Sequence, residues 1–226
     1  ADIAAMTLTT WAMFAAIAAS QPITASQDAD VLDAEALMHQ RAQTLSSQPP
    51  RKLEIRLPDS YSSLDYDAYR SLRSDPARRL WGEGSSFFSA EPLHLGGQYR
   101  IPVRLDVWME DSVEPRLRPL AYEPGLFLFP GRDHGFGTSA RAVALKTADP
   151  SGEEFPAITR LTVEEPGSDD RSLRMHALLE SDSFAGVLSM EATPGEETVM
   201  DVVVTLYPRV DLSSAGIAPL TSMFLF

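Results

Sequence analysis

The stretch QYRIPVRLDVW, residues 98–108, decides the fold class. Tyr99, Ile101, Val103, Leu105 and Val107 fall on one side of an extended chain; Arg100, Arg104 and Asp106 fall on the other. A period of two with one apolar face predicts a strand laid against a core. Gly96-Gly97 supplies the turn that starts it.

Downstream the same texture repeats. Leu126 to Phe129 reads as a short buried strand, and further strands are predicted at 142–146, 157–163, 172–179, 186–192 and 198–207. Turns rich in Gly, Pro, Ser and Asp separate them at 149–152, 165–169 and 194–197. Short strands at this spacing predict a mainly β chain, an antiparallel β-sandwich. Upstream the period changes. Asp30 or Asp33 can cap a helix whose face is Val31, Ala34, Leu37, Met38, Ala42 and Leu45, and Pro49-Pro50 stops it. A second helical stretch is predicted from Tyr66 to Trp81, interrupted by Pro76. The sandwich is therefore expected behind one or two short N-terminal helices.

Met6 to Ala19 (MTLTTWAMFAAIAA) is uncharged and mostly apolar, but short of the about 20 residues a spanning helix needs. Pro22 and the small Ala25 follow. Residues 1–25 read as a secretory signal whose basic start lies upstream, since no Lys or Arg occurs before Arg41. A buried N-terminal helix is the alternative. The chain has no cysteine, which removes disulfides and thiol chemistry and is compatible with export.

A formal charge of −13 repels phosphate backbones, so nucleic acid is not an expected partner, and a polybasic membrane patch is missing. A neutral sugar meets no such repulsion. His39, His94, His134 and His176 are scattered without metal-ligand spacing, so no metal and no cofactor is expected; His94 and His176 are expected on strand surfaces. Gly82-Glu83-Gly84 and Gly135-Phe136-Gly137 read as turns, not phosphate cradles. Ser139 near His134 lacks a nucleophile elbow. Glu153-Glu154 is the obvious carboxylate pair for glycosidic chemistry, but neighbours on a strand point to opposite faces. No catalytic residue is assigned. The candidate carbohydrate contacts are Arg141, Glu153, Tyr122 and Trp108: Arg141 as a fork of donors or, alternatively, as an ion pair with Glu153 or Glu154, and the two aromatics as stacking surfaces or core.

Four segments carry a family resemblance. Gly137 to Thr147 (GTSARAVALKT) with Ser151 to Pro156 (SGEEFP), His176 to Asp182 (HALLESD), and the end, Gly216 to Phe226 (GIAPLTSMFLF), resemble the osmoregulated periplasmic glucan biosynthesis proteins of the MdoG/OpgG and OpgD type. Leu64 to Tyr69, His94 to Val103, Tyr122 to Phe129 and Met200 to Val204 are similar to that family in the expected order. The resemblance implies a periplasmic protein with a large galactose-mutarotase-like sandwich that binds glucan, followed by an immunoglobulin-like domain. It implies a β-1,2-linked glucan as partner, glucan synthase machinery as a further candidate partner, and relatives that resemble β-1,2-glucan hydrolases. It also implies departures. Residues 26–226 are expected to be a partial N-terminal glucan-binding domain, with a gap between Phe129 and Gly137, with the second domain and the catalytic carboxylates beyond Phe226, and with marginal stability for the chain alone. No stable membrane insertion is expected once the signal is removed. The expected function is to bind and remodel glucan; the alternative is a truncated, non-catalytic carbohydrate-binding protein or a non-functional gene fragment.

Overall fold

A computed structural model describes residues 33–72, 75, 79–81, 86–110, 116–123, 125–130, 143–196, 198–212 and 214–217. The signal expected at 1–25, Arg141, the 131–137 junction and the last nine residues lie outside the described residues. The elements run α1 (Ala34–Ser46), α2 (Asp59–Ser62), α3 (Tyr66–Ser71), β1 (Phe88–Leu93), β2 (Val103–Met109), β3 (Arg116–Glu123), β4 (Gly125–Pro130), β5 (Val143–Leu145), β6 (Ala157–Glu164), β7 (Leu173–Glu180), β8 (Phe184–Thr193), β9 (Val199–Pro208) and β10 (Ala215–Ile217).

The main sheet has the order β3-β2-β6-β7-β8-β9. One face carries Val103, Leu105, Leu161, Val163, Met175, Ala177, Leu179 and Phe184, all buried. Two small sheets, β1 with β4 and β5 with β10, bring Phe88, Val143 and Leu145 into the same core. This second β layer over the apolar face makes the chain a mainly β, sandwich-type structure, as the alternation predicts. One pairing departs from the antiparallel expectation: β2 runs parallel to β6, with Arg104 beside Arg160 and Asp106 beside Thr162. The two strands are remote in sequence, and a long connection permits parallel pairing where a tight hairpin would not.

Helix α1 packs on the opposite face, against β7, β8 and β9. The Asp33 side chain accepts from Ala36 N at 2.6 Å and caps its start. Ala34, Met38 and Ala42, spaced by four, are its buried stripe, and Met38 and Ala42 meet Leu178, Ala185 and Val187. At the other end Arg209 donates to the carbonyls of Leu45 and Gln48, placing a cation at the negative end of the helix.

Some local expectations are corrected. β2 begins at Val103, not Gln98, because Gly97 turns at φ +56° and Pro102 has no N–H to give a ladder. The second helix ends at Ser71; Trp81 sits at φ +53° in a turn beside the Leu80–Ala90 bridge. The proline at 76 is incompatible with a continuous helix there. His176 is buried at 4% exposure rather than on a strand surface, and His94 follows β1, its ring 4.5 Å from that of Tyr69.

Candidate functional site

Beside α1, over β2 and β6, the polar face of the main sheet opens into a cavity of about 610 Å3. That size falls in the range of about 300–1,000 Å3 usual for small-molecule sites. Its walls come from α1, from the segment 51–53 and from Ile101, Pro102, Arg104, Thr159 and Arg160. After Pro49-Pro50 the chain runs extended past this face. Ile55 N donates to Arg100 O at 3.0 Å, which ties the segment to the approach of β2.

The chemistry of the cavity is cationic. Arg41, Arg51, Lys52, Arg104 and Arg160 line it, and among the described residues no carboxylate does. Two carboxylates stand behind the lining. Asp106, fully buried, accepts from Arg104 Nε at 3.0 Å and from Arg160 Nη1. Glu180, 3% exposed, accepts a fork from Arg51 (Nε 2.9 Å, Nη2 2.5 Å) and a further bond from Thr159 Oγ1 at 2.7 Å. Burial opposes ionisation of Glu180, but the Arg51 and Thr159 hydrogen bonds outweigh it and hold the carboxyl below its ordinary value. Arg41 is held below its own ordinary value, first by burial and then by the Arg160 and Arg104 charges, with Asp106 offsetting part.

Two irregularities in the ladders place these groups. The β2–β3 register shifts between Leu105 and Asp106, and the β6–β7 register shifts between Ile158 and Arg160. Bulges re-aim side chains. Here both fall at the strand ends that present Arg104, Asp106, Thr159 and Arg160.

A second polar group lies farther along the same face. His176 Nε2 is 2.8 Å from Glu164 Oε1, and its Nδ1 is 3.1 Å from Ser189 Oγ. These residue types are those of a serine–histidine–carboxylate triad, but the proton is misplaced for it: Ser189 donates to Glu35 on α1 at 2.7 Å. With its proton directed to Glu35, Ser189 is not set to deliver it to the histidine as a triad nucleophile would be. The cluster thus docks α1 on β8. The His176 hydrogen bond, then the Arg174 charge, hold Glu164 below its ordinary value against the opposing effect of burial.

The sequence candidates are dispersed. Trp108, 8% exposed on β2, pairs in register with Leu117 and Glu164, four positions from Arg104. Glu153 lies in the exposed turn after β5, where it accepts from Ala148 N at 2.8 Å. Its neighbour Glu154 turns to Ser183, accepting from N and Oγ at 2.8 Å each. Tyr122 is opposite Arg104 in the β3–β2 register. Arg141 lies outside the described residues. Sequence reasoning missed Arg41, Arg160 and the cavity itself. The usable signal was Arg104 and Asp106 at strand spacing on the polar face of β2, two charges where a solvated face needs none.

Comparison with known proteins places the sequence that folds this way in a family. The model of "Periplasmic glucan biosynthesis protein, MdoG" matches residues 34–134 and 125–226. The chain belongs to the MdoG family. Among curated MdoG relatives, glucans biosynthesis protein G of Rhodopseudomonas palustris is 34% identical over 84% of this chain and 46% of the relative. The protein of that name from a Shewanella species is 32% identical over 81% of the chain and 41% of the relative, and glucans biosynthesis protein G 1 of Shewanella oneidensis has the same values. The chain spans less than half the length of these MdoG relatives. The family carries a role in periplasmic glucan biosynthesis and implies the periplasm as its setting. No helix among the described residues is long and apolar enough to cross a membrane.

Proposed function

We propose that this chain forms the glucan-holding part of a periplasmic glucan biosynthesis protein, and that a β-1,2-linked glucan lies in the cavity between α1, the 51–53 segment and the sheet. One observation carries the reading: the cavity combines apolar walls (Leu37, Leu53, Ile101, Pro102) with a dense set of side-chain donors from α1, β2 and β6. Sugar rings have apolar C–H faces and a rim of hydroxyls, so a ligand site for them needs both surfaces. The donors are held by Asp106 and Glu180 behind them, so they present fixed hydrogens without reorganisation.

The described lining offers no carboxylate to protonate a glycosidic oxygen or attack an anomeric carbon, so the role proposed for this cavity is retention of glucan. Remodelling of the glucan and contact with synthase machinery belong, on this reading, to the whole protein. Of the sequence candidates, Tyr122 is the one whose strand register puts it beside the cavity's Arg104.

The test is calorimetric titration of the whole chain with β-1,2-gluco-oligosaccharides, using β-1,3 and α-1,4 oligomers as controls. Thr44 lines the cavity from the exposed side of α1, so Thr44→Trp fills the space while leaving the buried stripe alone. Saturable β-1,2-glucan binding lost in Thr44→Trp is expected. Binding that survives the substitution would move the site elsewhere on the molecule, and absence of binding would remove the glucan assignment.

A further inference from the structure

We propose that the inner end of this cavity, at Arg41, Arg104 and Arg160, is a seat for an oxyanion, a phosphate or carboxylate group. This goes beyond the retention of a neutral glucan and does not depend on it.

The charge balance is the first reason. The chain as a whole carries −13, yet five cationic side chains and, among the described residues, no acidic ones line this cavity. At its inner end Arg104 and Arg160 both bond to one carboxylate, Asp106. Arg41 adds a third guanidinium against the same carboxylate. Desolvated like charges destabilise one another, and Arg41 shows it: burial and the Arg160 and Arg104 charges all act against its ionised form. A bound anion would favour the ionised form of Arg41.

Hydrogen bonding is the second reason. Arg41 Nη1 is a buried donor with no partner among the described residues. A buried, unsatisfied donor is costly, and more so when it is charged. A sugar hydroxyl could accept from it but, being neutral, would not offset the Arg160 and Arg104 charges that act on Arg41. Guanidinium groups match the planar oxygens of carboxylates and phosphates, and such charge-assisted bonds are about twice as strong as neutral ones. Lys52, exposed, adds a further cationic point charge to the lining.

Backbone placement is the third reason. The two register shifts lie in separate strand pairs, yet both occur beside the guanidinium group. Bulges are over-represented where a side chain must be re-aimed at a site.

The experiment titrates the whole chain with inorganic phosphate by calorimetry at fixed ionic strength, with sodium chloride replacing phosphate in the control. Glucose 6-phosphate and glucose are then compared, to separate a free anion from one carried on a sugar. Saturable phosphate binding is expected, weakened about tenfold or more by Arg41→Gln. Lys52→Glu, at an exposed position outside the helices and strands, is expected to weaken it several-fold and keeps the test valid if Arg41→Gln fails to fold. Tighter binding of glucose 6-phosphate than of inorganic phosphate would assign the anion to a sugar substituent; equal binding would assign a free ion. A heat that tracks ionic strength without saturating overturns the proposal, as does unchanged phosphate affinity in Arg41→Gln, or in Lys52→Glu where that variant alone folds. Neutral β-1,2-glucan binding with no phosphate binding would overturn this inference and leave the glucan reading standing; the converse result would do the opposite.

Discussion

The two faces of the six-stranded sheet are built on opposite principles. On the face covered by the second β layer, Leu105, Val163, Leu173 and Phe184 are almost wholly buried in an apolar cluster. On the face shared by α1 and the cavity, the buried residues include Asp106, Thr162, His176 and Glu180. Both faces exclude water, but by different means: one removes apolar area alone, while the other combines a smaller apolar cluster under α1 with buried carboxylates that are paired, Asp106 with Arg104 and Arg160 and Glu180 with Arg51. The first arrangement tolerates no opening, since an opening would only expose hydrocarbon. The second can be left open at β2 and β6, because its polar groups lose little by meeting a polar ligand. That asymmetry explains why the cavity lies on the helix side.

The largest effect should come from breaking the apolar face. Phe184→Ala removes a fully buried ring in contact with the main cluster and should cost about 3–5 kcal/mol in urea denaturation. A loss below about 1 kcal/mol would mean that this face collapses around the void and is not the principal core.

Much of this division can be seen in the residues themselves. Alternation along Val103, Leu105 and Val107 against Arg104 and Asp106 separates the two faces by period alone, and the predicted strands from 157 to 207 match β6 to β9 within a few residues. The α1 stripe is equally legible, because spacing by four and a capping Asp are local signals. What is not local is not legible. Arg41, Arg104 and Arg160 come from three distant segments, and only the β2–β6 parallel pairing sets the last two side by side. No spacing rule encodes that pairing. His176 reads as a surface residue because the helix that buries it lies more than a hundred residues upstream. β1 and β3 escape notice because Pro92 and Pro119 interrupt the expected strand texture.

A smaller effect sharpens the polar side of the comparison. Glu180 is held below its ordinary value, so its contribution is present above the unfolded value, near 4.5, and is lost as pH falls through the lower folded value. Arg51 is 60% exposed, and solvent screening limits what the pair adds. Glu180→Gln should therefore cost about 1–2 kcal/mol at pH 7. The gap between the variant and the natural chain should narrow as pH falls below the unfolded value and close once it has fallen through the lower folded one, as both become uncharged at this position. Denaturation at stepped pH measures it. Parallel stability curves over the whole range would show that the charge on Glu180 contributes nothing.

The smallest expected effect asks which interactions hold α1 against the polar face. Asp33 caps the helix through Ala36 N, and a lost cap typically costs about 1 kcal/mol. Two tertiary anchors compete with the cap for that role: Met38 and Ala42 buried on β7 and β8, and Glu35 accepting from Ser189. If the cap sets the helix start, Asp33→Ala should lower stability by about 1 kcal/mol, and Asp33→Asn, which preserves an accepting oxygen, should lose only a few tenths. Because α1 supplies one wall of the cavity, Asp33→Ala should also weaken binding there, to the extent that the first turn frays. Thermal denaturation of the pair, read by helical circular dichroism, makes the comparison. Equal values for Ala and Asn would assign the start of α1 to its contacts with the sheet: the polar face would then position its own cover, as the apolar face does.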